Sequence, residues 1–348
     1  MLKLGYAWSE REANFAGANF RIVSTGSDYA ESMQGAPYYQ ITTQEAFAKG
    51  HLFYHPTSTR GQSAGDNYEG TQKLQAAYIM VDLKPLKDLR LTGGVRHEDN
   101  SMTLSTTFYN YTTGLPKFDD TTYHEKDWLP SVNLIYSLTD KVNIRLAYSK
   151  TLARPDFVER SPYLYYDFTE LAEVFGQKGL EVSRIKNYDL RFEYYPSGDE
   201  ILSASLFYKD FSNPVERFYE IGPTTNKVEY RNLYQATARG FEIDVRKSLA
   251  FLNPGSSWLQ RFIISANYTH LQGEIKYLVT TSPVTQKDTN YVADAKRPIQ
   301  GLSPYIINAG LNYQSKTWGF NIGYNKIGRR IVNGGLFQSL FNMSIPAM

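Results

Sequence analysis

The sequence contains no cysteine, which removes disulfides, thiolate metal sites and cysteine nucleophiles together. No apolar run approaches the roughly 18 residues that a membrane helix needs, so a helical span is excluded. Neither sign of charge dominates. Lys+Arg total 37 and Asp+Glu 35 over 348 residues, and without a basic field nucleic acid is not an expected partner. Histidine is scarce, at five. His51 and His55 are spaced i, i+4, but Pro56 and the intervening aromatics disfavour a helix and no carboxylate motif accompanies them, so neither a metal site nor a cofactor is expected. His97-Glu98-Asp99 reads as a solvated strand end, and Gly93-Gly94 as a strand kink or close packing rather than a phosphate cradle. No G-x-S-x-G, H-E-x-x-H or Walker loop occurs, so no catalytic residue is assigned and an enzyme is not expected. Met1 is not followed by a charged n-region, an apolar segment and a small-residue cleavage site.

What the sequence does have is aromatic side chains and alternation. There are 28 tyrosines, 19 phenylalanines and 4 tryptophans, and tyrosine suits a boundary between oil and water. In Tyr188-Asp189-Leu190-Arg191-Phe192-Glu193-Tyr194 every even residue is apolar and every odd one charged, which puts the two kinds on opposite faces of a strand. The same period places Arg145 between Ile144 and Leu146, and Glu242, Asp244 and Arg246 among Phe241, Ile243 and Val245. It recurs over Phe262–Tyr268, Tyr305–Tyr313 and Trp318–Tyr324. A mean hydropathy of -0.44 is compatible with a membrane barrel, where only alternate residues meet lipid.

About eleven strands are expected, near Met1–Ser9, Thr71–Leu83, Leu89–Thr106, Asp127–Leu138, Val142–Thr151, Asn187–Tyr195, Glu200–Phe211, Asn232–Ser248, Trp258–Ile275, Ser303–Tyr313 and Thr317–Ile327. Short turns near Lys84–Asp88, Thr139–Lys141, Pro196–Asp199, Leu249–Ser257 and Gln314–Lys316 alternate with long polar segments near Glu10–Gly70, Thr107–Lys126, Leu152–Lys186, Ser212–Arg231 and Lys276–Leu302. Antiparallel strands joined this way gather all long loops on one rim and all tight turns on the other, as outer-membrane barrels do. Aromatics near strand ends, such as Trp128, Tyr136, Tyr194, Tyr208, Trp258 and Trp318, fit interfacial girdles. A cap-like start and a glycine stop predict a short helix over Thr42–Gly50. No linker divides residues 1–348, which are read as one domain.

Five segments resemble the barrel of TonB-dependent receptors, the ligand-gated outer-membrane transporters of Gram-negative bacteria. They are Tyr148–Glu159 ("YS-TLARP-F-E"), Asn187–Pro196 ("NYDLR-EYYP"), Leu206–Phe211 with Asn213–Glu216 ("FYK-F", "NPIE"), Ala238–Arg246 ("A-GFE-E-R") and Arg297–Leu311 ("RP-QG-SPY-INAGL"). The order is that of the family, and the resemblance runs from about Leu74 to Arg330.

The resemblance implies an all-β transmembrane antiparallel barrel, with about eleven strands of a 22-stranded whole. It implies energy-coupled uptake of a bulky nutrient: siderophore-iron, a cobalamin-like cofactor or an oligosaccharide. The implied surroundings are outer-membrane lipid, TonB acting through a plug and TonB box, and a monomeric barrel. Plug, TonB box and closing strands are not recognised here, so a piece of a longer protein is expected, with a reading frame shifted near Asn333. An open sheet leaves edges that lipid cannot satisfy, so Met1–Met348 alone is expected to aggregate or be degraded. Arg145, Asp189, Arg191, Glu193, Glu242, Asp244 and Arg246 are expected on the lumen face, either hydrated, against the plug, or joined in a cross-strand lattice. Tyr163, Tyr165, Tyr166 and Phe168 are candidate ligand-binding residues in an extracellular loop, able to stack on a flat or glycan-like ligand or to pack against neighbouring loops. Arg154 and Glu159 flank one turn and are expected to pair. A passive pore or adhesin-like barrel is the rival class, which ion conductance by a plugless barrel would favour.

Overall fold

The computed structural model describes residues 1–16, 20–25, 37–56, 67–110, 115–223, 225–280, 290–295 and 297–334. In chain order the strands are β1 (Leu2–Ala16), β2 (Phe20–Ser24), β3 (Leu52–Pro56), β4 (Asn67–Leu86), β5 (Leu89–Asn110), β6 (Leu115–Thr139), β7 (Val142–Ala153), β8 (Leu164–Asp167), β9 (Ala172–Phe175), β10 (Ser183–Tyr194), β11 (Ile201–Ser212), β12 (Val215–Glu220), β13 (Asn226–Asn232), β14 (Gln235–Ser248), β15 (Phe262–Thr280), β16 (Asn290–Ala295), β17 (Tyr305–Gln314) and β18 (Gly319–Ile327). One antiparallel wall runs β1-β4-β5-β6-β7-β10-β11-β14-β15-β17-β18, with β16 added on β15. The path contains the eleven expected strands. Among the described residues, β1 and β18 each have one neighbour, so both edges of the wall are open.

Alternation within strands becomes continuous rows across them. The register sets Leu83, Leu91, Leu134, Leu146, Leu190, Leu206 and Phe241 side by side on seven consecutive strands. On the other face it aligns Ser137, Asn143, Glu193, Ser203, Asp244, Asn267, Asn308 and Asn325. A slip of one residue at any pair would exchange the faces of a whole strand, so each hairpin register is fixed by both rows at once.

The apolar band slides along the wall. On β1 it reaches Trp8, whose register line continues through Gln75 to Asp99 and Lys126. On β6 it reaches only Trp128, and on β7, β10 and β11 only Tyr148, Tyr188 and Tyr208. The border therefore descends by about one residue per strand, and with ~3.4 Å per residue and ~4.8 Å between strands this is a strand tilt of roughly 35°, as a closed barrel requires. Tyrosine rings border the band on the long-loop side, at 5.1 Å between Tyr148 and Tyr188 and 6.1 Å between Tyr188 and Tyr208. On the turn side Trp258 meets Phe262 edge-on at 4.8 Å and Tyr313 stacks on Phe320 at 5.2 Å.

The long connections hold more structure than their composition suggests. Thr107–Lys126, expected as a loop, is mostly strand: β5 and β6 stay paired from Leu89–Tyr136 out to Asn110–Leu115, because its threonines and tyrosine are good strand formers. Asn232–Ser248, expected as one strand, is interrupted at Leu233-Tyr234 and belongs to β13 and β14. The connections after β7 and β11 form a second sheet, β12-β13-β9-β8, in which β13 and β9 are parallel. Ala172, Val174, Leu180, Val228 and Tyr230 form its core. The predicted helix is present at Gln44–Ala48, where the Thr43 side chain accepts from the Ala46 N–H and Gly50 at φ 72° ends it. Leu249–Ser257, expected as a plain turn, includes a 3-10 turn over Leu249–Phe251.

Candidate functional site

The polar face of the wall carries a connected lattice. Arg145 Nε donates to Glu193 at 2.8 Å, and Arg191 reaches Glu193 at 3.1 Å and Asp244 at 3.1 Å. Asp244 also accepts from Ser203 at 3.0 Å and Asn267 at 2.5 Å, and Asn267 donates to Glu242 at 2.8 Å. Asn308 and Asn325 extend the chain of bonds to the edge strand. Asp189 and Arg246 stand on the same face, opposite Phe207 and Ser265, outside this network. Arg145 meets Glu193 on the adjacent strand, Arg191 meets Glu193 along its own strand and spans β11 to reach Asp244, so the lattice ties β7, β10 and β14 together at little net electrostatic cost.

Nearer the long-loop rim the same face carries a tighter cluster. Arg154, 12% exposed, lies 2.8 Å from Glu98, 3.3 Å from Glu125 and 3.7 Å from Asp127. Arg160, 1% exposed, pairs with Glu125 at 2.5 Å, donates to the Leu180 carbonyl and lies 4.1 Å over the Tyr123 ring. Arg96 pairs with Glu98 and Arg184 with Asp127. Four guanidinium groups against three carboxylates are almost neutral, so the cluster binds the loop to the wall rather than attracting a separate anion. The expected Arg154–Glu159 pair does not form. Arg154 turns to the wall carboxylates, whereas Glu159 accepts from the Asp156 N–H at 2.8 Å and completes a capping box on the one-turn helix Phe157–Arg160. Burial lifts the Glu159 carboxyl above the ordinary carboxylate range. Glu98, expected at a solvated strand end, is instead inside this cluster, and the His97 ring packs tilted against Trp128 at 4.5 Å on the opposite face. A cleft of about 280 Å³ opens beside the cluster, lined by Ser9, Arg11, Gln72, Leu74, Leu152 and Arg154.

The four candidate loop aromatics divide into two pairs. Tyr163 is buried with Tyr68, Met102, Leu104 and Phe157, and Tyr165 lies half-buried between that core and the core of the loop sheet. Tyr166 and Phe168 face outward, edge to face at 5.0 Å, and Phe168 is 82% exposed. A second anchor was not legible in sequence. Glu216, 2% exposed, accepts from Arg297 at 2.5 Å and from the Gln300 N–H at 2.9 Å. The Gln300 side chain in turn accepts from the Arg217 N–H and donates to the Val332 carbonyl. The only sequence signal was that Glu216 and Arg297 both lie in family-like segments. Among the described residues no group of His, Asp and Glu has metal-binding geometry.

The family model described as TonB dependent receptor-like, beta-barrel matches residues 3–341. No curated protein matches the chain. Among solved structures, the ferric-catecholate import receptor Fiu from E. coli K12 is similar at a TM-score of 0.57 and 15% identity, over 94% of this chain and 41% of that one. The copper transporter OprC is similar at 0.55 and 12% identity, over 80% of this chain and 38% of that one. At these identities the likeness is one of fold, and the chain spans about two fifths of the length of either structure.

Proposed function

The chain belongs to the TonB-dependent receptor β-barrel family, and on that premise we propose that it forms wall and mouth of an outer-membrane transporter in a Gram-negative bacterium. The transporter imports a bulky nutrient such as siderophore-bound iron, a cobalamin-like cofactor or an oligosaccharide. The observation that carries this reading is the two-faced wall. Leu146, Leu190 and Leu206 stand in one row at 48%, 40% and 58% exposure, and apolar surface of that extent needs a cover that lipid supplies. The polar face, with Arg145, Asp189, Arg191, Glu193, Glu242, Asp244 and Arg246, then looks into the lumen. The long-loop rim is extracellular and the turn rim periplasmic.

Within residues 1–348, read as one domain, the wall is a rigid frame, the two ion clusters fix the loops over its mouth, and Tyr166 and Phe168 form a stacking pair for the arriving ligand. Tyr163 and Tyr165 pack into the loop cores and so anchor the segment that carries that pair. A plug and its TonB contact belong to the part of a full-length receptor that this chain does not span, and the barrel acts as a monomer without catalysis. Deleting the gene should abolish growth on one such nutrient, and only in cells with TonB. Replacing Tyr166→Ala and Phe168→Ala together should weaken capture about tenfold. Ion conductance by the protein in the absence of TonB would mark a passive pore and contradict the reading.

A further inference from the structure

The two edges of the loop sheet β12-β13-β9-β8 differ. The β12 edge is answered: Gly334 accepts from the Tyr219 N–H at 2.6 Å and donates to the Arg217 carbonyl at 2.8 Å. Among the described residues β8 pairs with β9 alone. It lies in the connection between the paired wall strands β7 and β10, so this open edge, unlike those of β1 and β18, is internal to the chain. The register decides which backbone groups face it. The Gly176 N–H donates to the Tyr163 carbonyl at 3.4 Å, and β8 pairs with β9 from Leu164–Phe175 to Asp167–Ala172. Hydrogen-bonded and non-hydrogen-bonded pairs alternate along an antiparallel ladder. Tyr165 and Asp167 therefore turn their backbone groups to β9, and Tyr166 turns its N–H and C=O away. Among the described residues nothing answers those two groups. β8 holds neither lysine nor proline, two common guards of a sheet edge. Beside the edge stand the rings of Tyr166 and Phe168, 40% and 82% exposed and edge to face. The turn that follows is fixed without them: Asp167 accepts from the Thr169 and Glu170 N–H groups, and Asn226 donates to the carbonyl of Leu171, held at φ 50°.

We propose that β8 takes an extended peptide, the peptide portion of the incoming ligand, as a fifth strand of the loop sheet. An N–H and a C=O presented together on a strand edge are answered in register by another backbone, which is how sheets recruit extended peptides. Main-chain bonds at Tyr166 hold the peptide, and the rings of Tyr166 and Phe168 grip its side chains on one face. Both rings protrude, a shape that suits a chain laid along an edge better than a compact ligand, which favours a concave site. At four residues β8 is too short to invite sheet-to-sheet aggregation, yet long enough for a short peptide. The ligand class is thus an oligopeptide, or a nutrient that carries one. The proposal rests on the reading of this chain as the wall and mouth of a transporter.

The test uses protein extracted in detergent from the outer membranes of cells that make it. The probes are a casein digest cut to short peptides, the pentapeptide acetyl-Thr-Val-Thr-Val-Thr-amide, and the same pentapeptide N-methylated at every residue. Native mass spectrometry reads retention, and hydrogen exchange reads the Tyr166 amide. Digest peptides and the plain pentapeptide should be retained, and should slow exchange at Tyr166 about tenfold or more. The N-methylated peptide, which cannot donate, should do neither. Tyr166→Pro removes the outward N–H but leaves the β8–β9 bonds in place, and should lower retention about tenfold. Slow exchange at Val174 and Val228 shows whether that variant keeps its sheet; if it does not, the N-methylated probe decides on the parent protein. Equal retention of both pentapeptides overturns strand addition. A dimer of the parent that Tyr166→Pro dissolves assigns the edge to a second copy and also overturns the proposal. No retention of any peptide overturns it too, and TonB-dependent growth on another nutrient would then leave the transporter reading standing. Peptide retention with uptake that ignores TonB contradicts the transporter reading and leaves the edge site standing.

Discussion

Glu216 and Arg297 are separated by 81 residues in sequence and meet at 2.5 Å, with Glu216 2% exposed. One lies at the start of β12 and the other just before the last wall hairpin, so a single buried pair locks two long connections together. Removing one partner of a buried pair leaves the other uncompensated, at a cost of about 3–5 kcal/mol. Glu216→Ala should therefore release these connections, and limited proteolysis should cut near Arg297 at least tenfold faster than in the parent. Exchange of both residues for apolar ones of similar volume should recover much of the protection.

Phe157 lies over Gly70, where a Cβ would stand 2.5 Å from the ring. Gly70→Ala should destabilise the loop-side core by about 1–3 kcal/mol through overpacking. Phe157→Leu in the same protein should recover part of that loss, because the nearest colliding atoms belong to the ring. A double-mutant cycle read by detergent-resistant unfolding should give a non-zero coupling.

How far the sequence reveals this molecule depends on whether a residue's role is local. Asp189 to Tyr194 disclose a strand and its two faces because alternation is a property of neighbours. Thr43 and Gly50 disclose a helix end for the same reason. Ala172, Val174 and Val228 are fully buried, yet they make a core only through the parallel pairing of β13 with β9, some 54 residues distant, and no local period signals that. Glu98 reads as part of a solvated strand end because Arg154, which pairs with it, reaches it from another connection. Of the loop aromatics, sequence gave the type but not the division between packed Tyr163 and exposed Phe168, which depends on Phe157 and Tyr68 filling one side.

Tyr230, 8% exposed in the loop sheet, has its phenol pushed up to about 12 by burial. The unfolded phenol ionises near 10, so the folded sheet holds a proton that the unfolded one releases between those values. Stability from this group is complete below pH 10 and falls by about 2–3 kcal/mol as pH rises towards 12. Protease resistance of Ala172–Asn232 should decline over that window, and Tyr230→Phe should flatten the decline.

Adjacent residues of β10 should respond unequally to one substitution. Leu190→Arg puts a cation on the apolar face and should cost about 2–4 kcal/mol in the membrane. Asp189→Arg puts it on the polar face and should cost less than about 1 kcal/mol. Unfolding in lipid vesicles compares the two.

Because the chain contributes no thiol, single cysteine substitutions placed in turn from Tyr188→Cys to Tyr194→Cys offer the most direct test of the two-faced wall. Each carries a fluorophore and is exposed, in membranes, to a lipid-phase quencher and to a water-soluble one. Positions 188, 190, 192 and 194 should answer to the lipid-phase quencher and positions 189, 191 and 193 to the aqueous one. A pattern without period two, or water access at every position, would contradict the account.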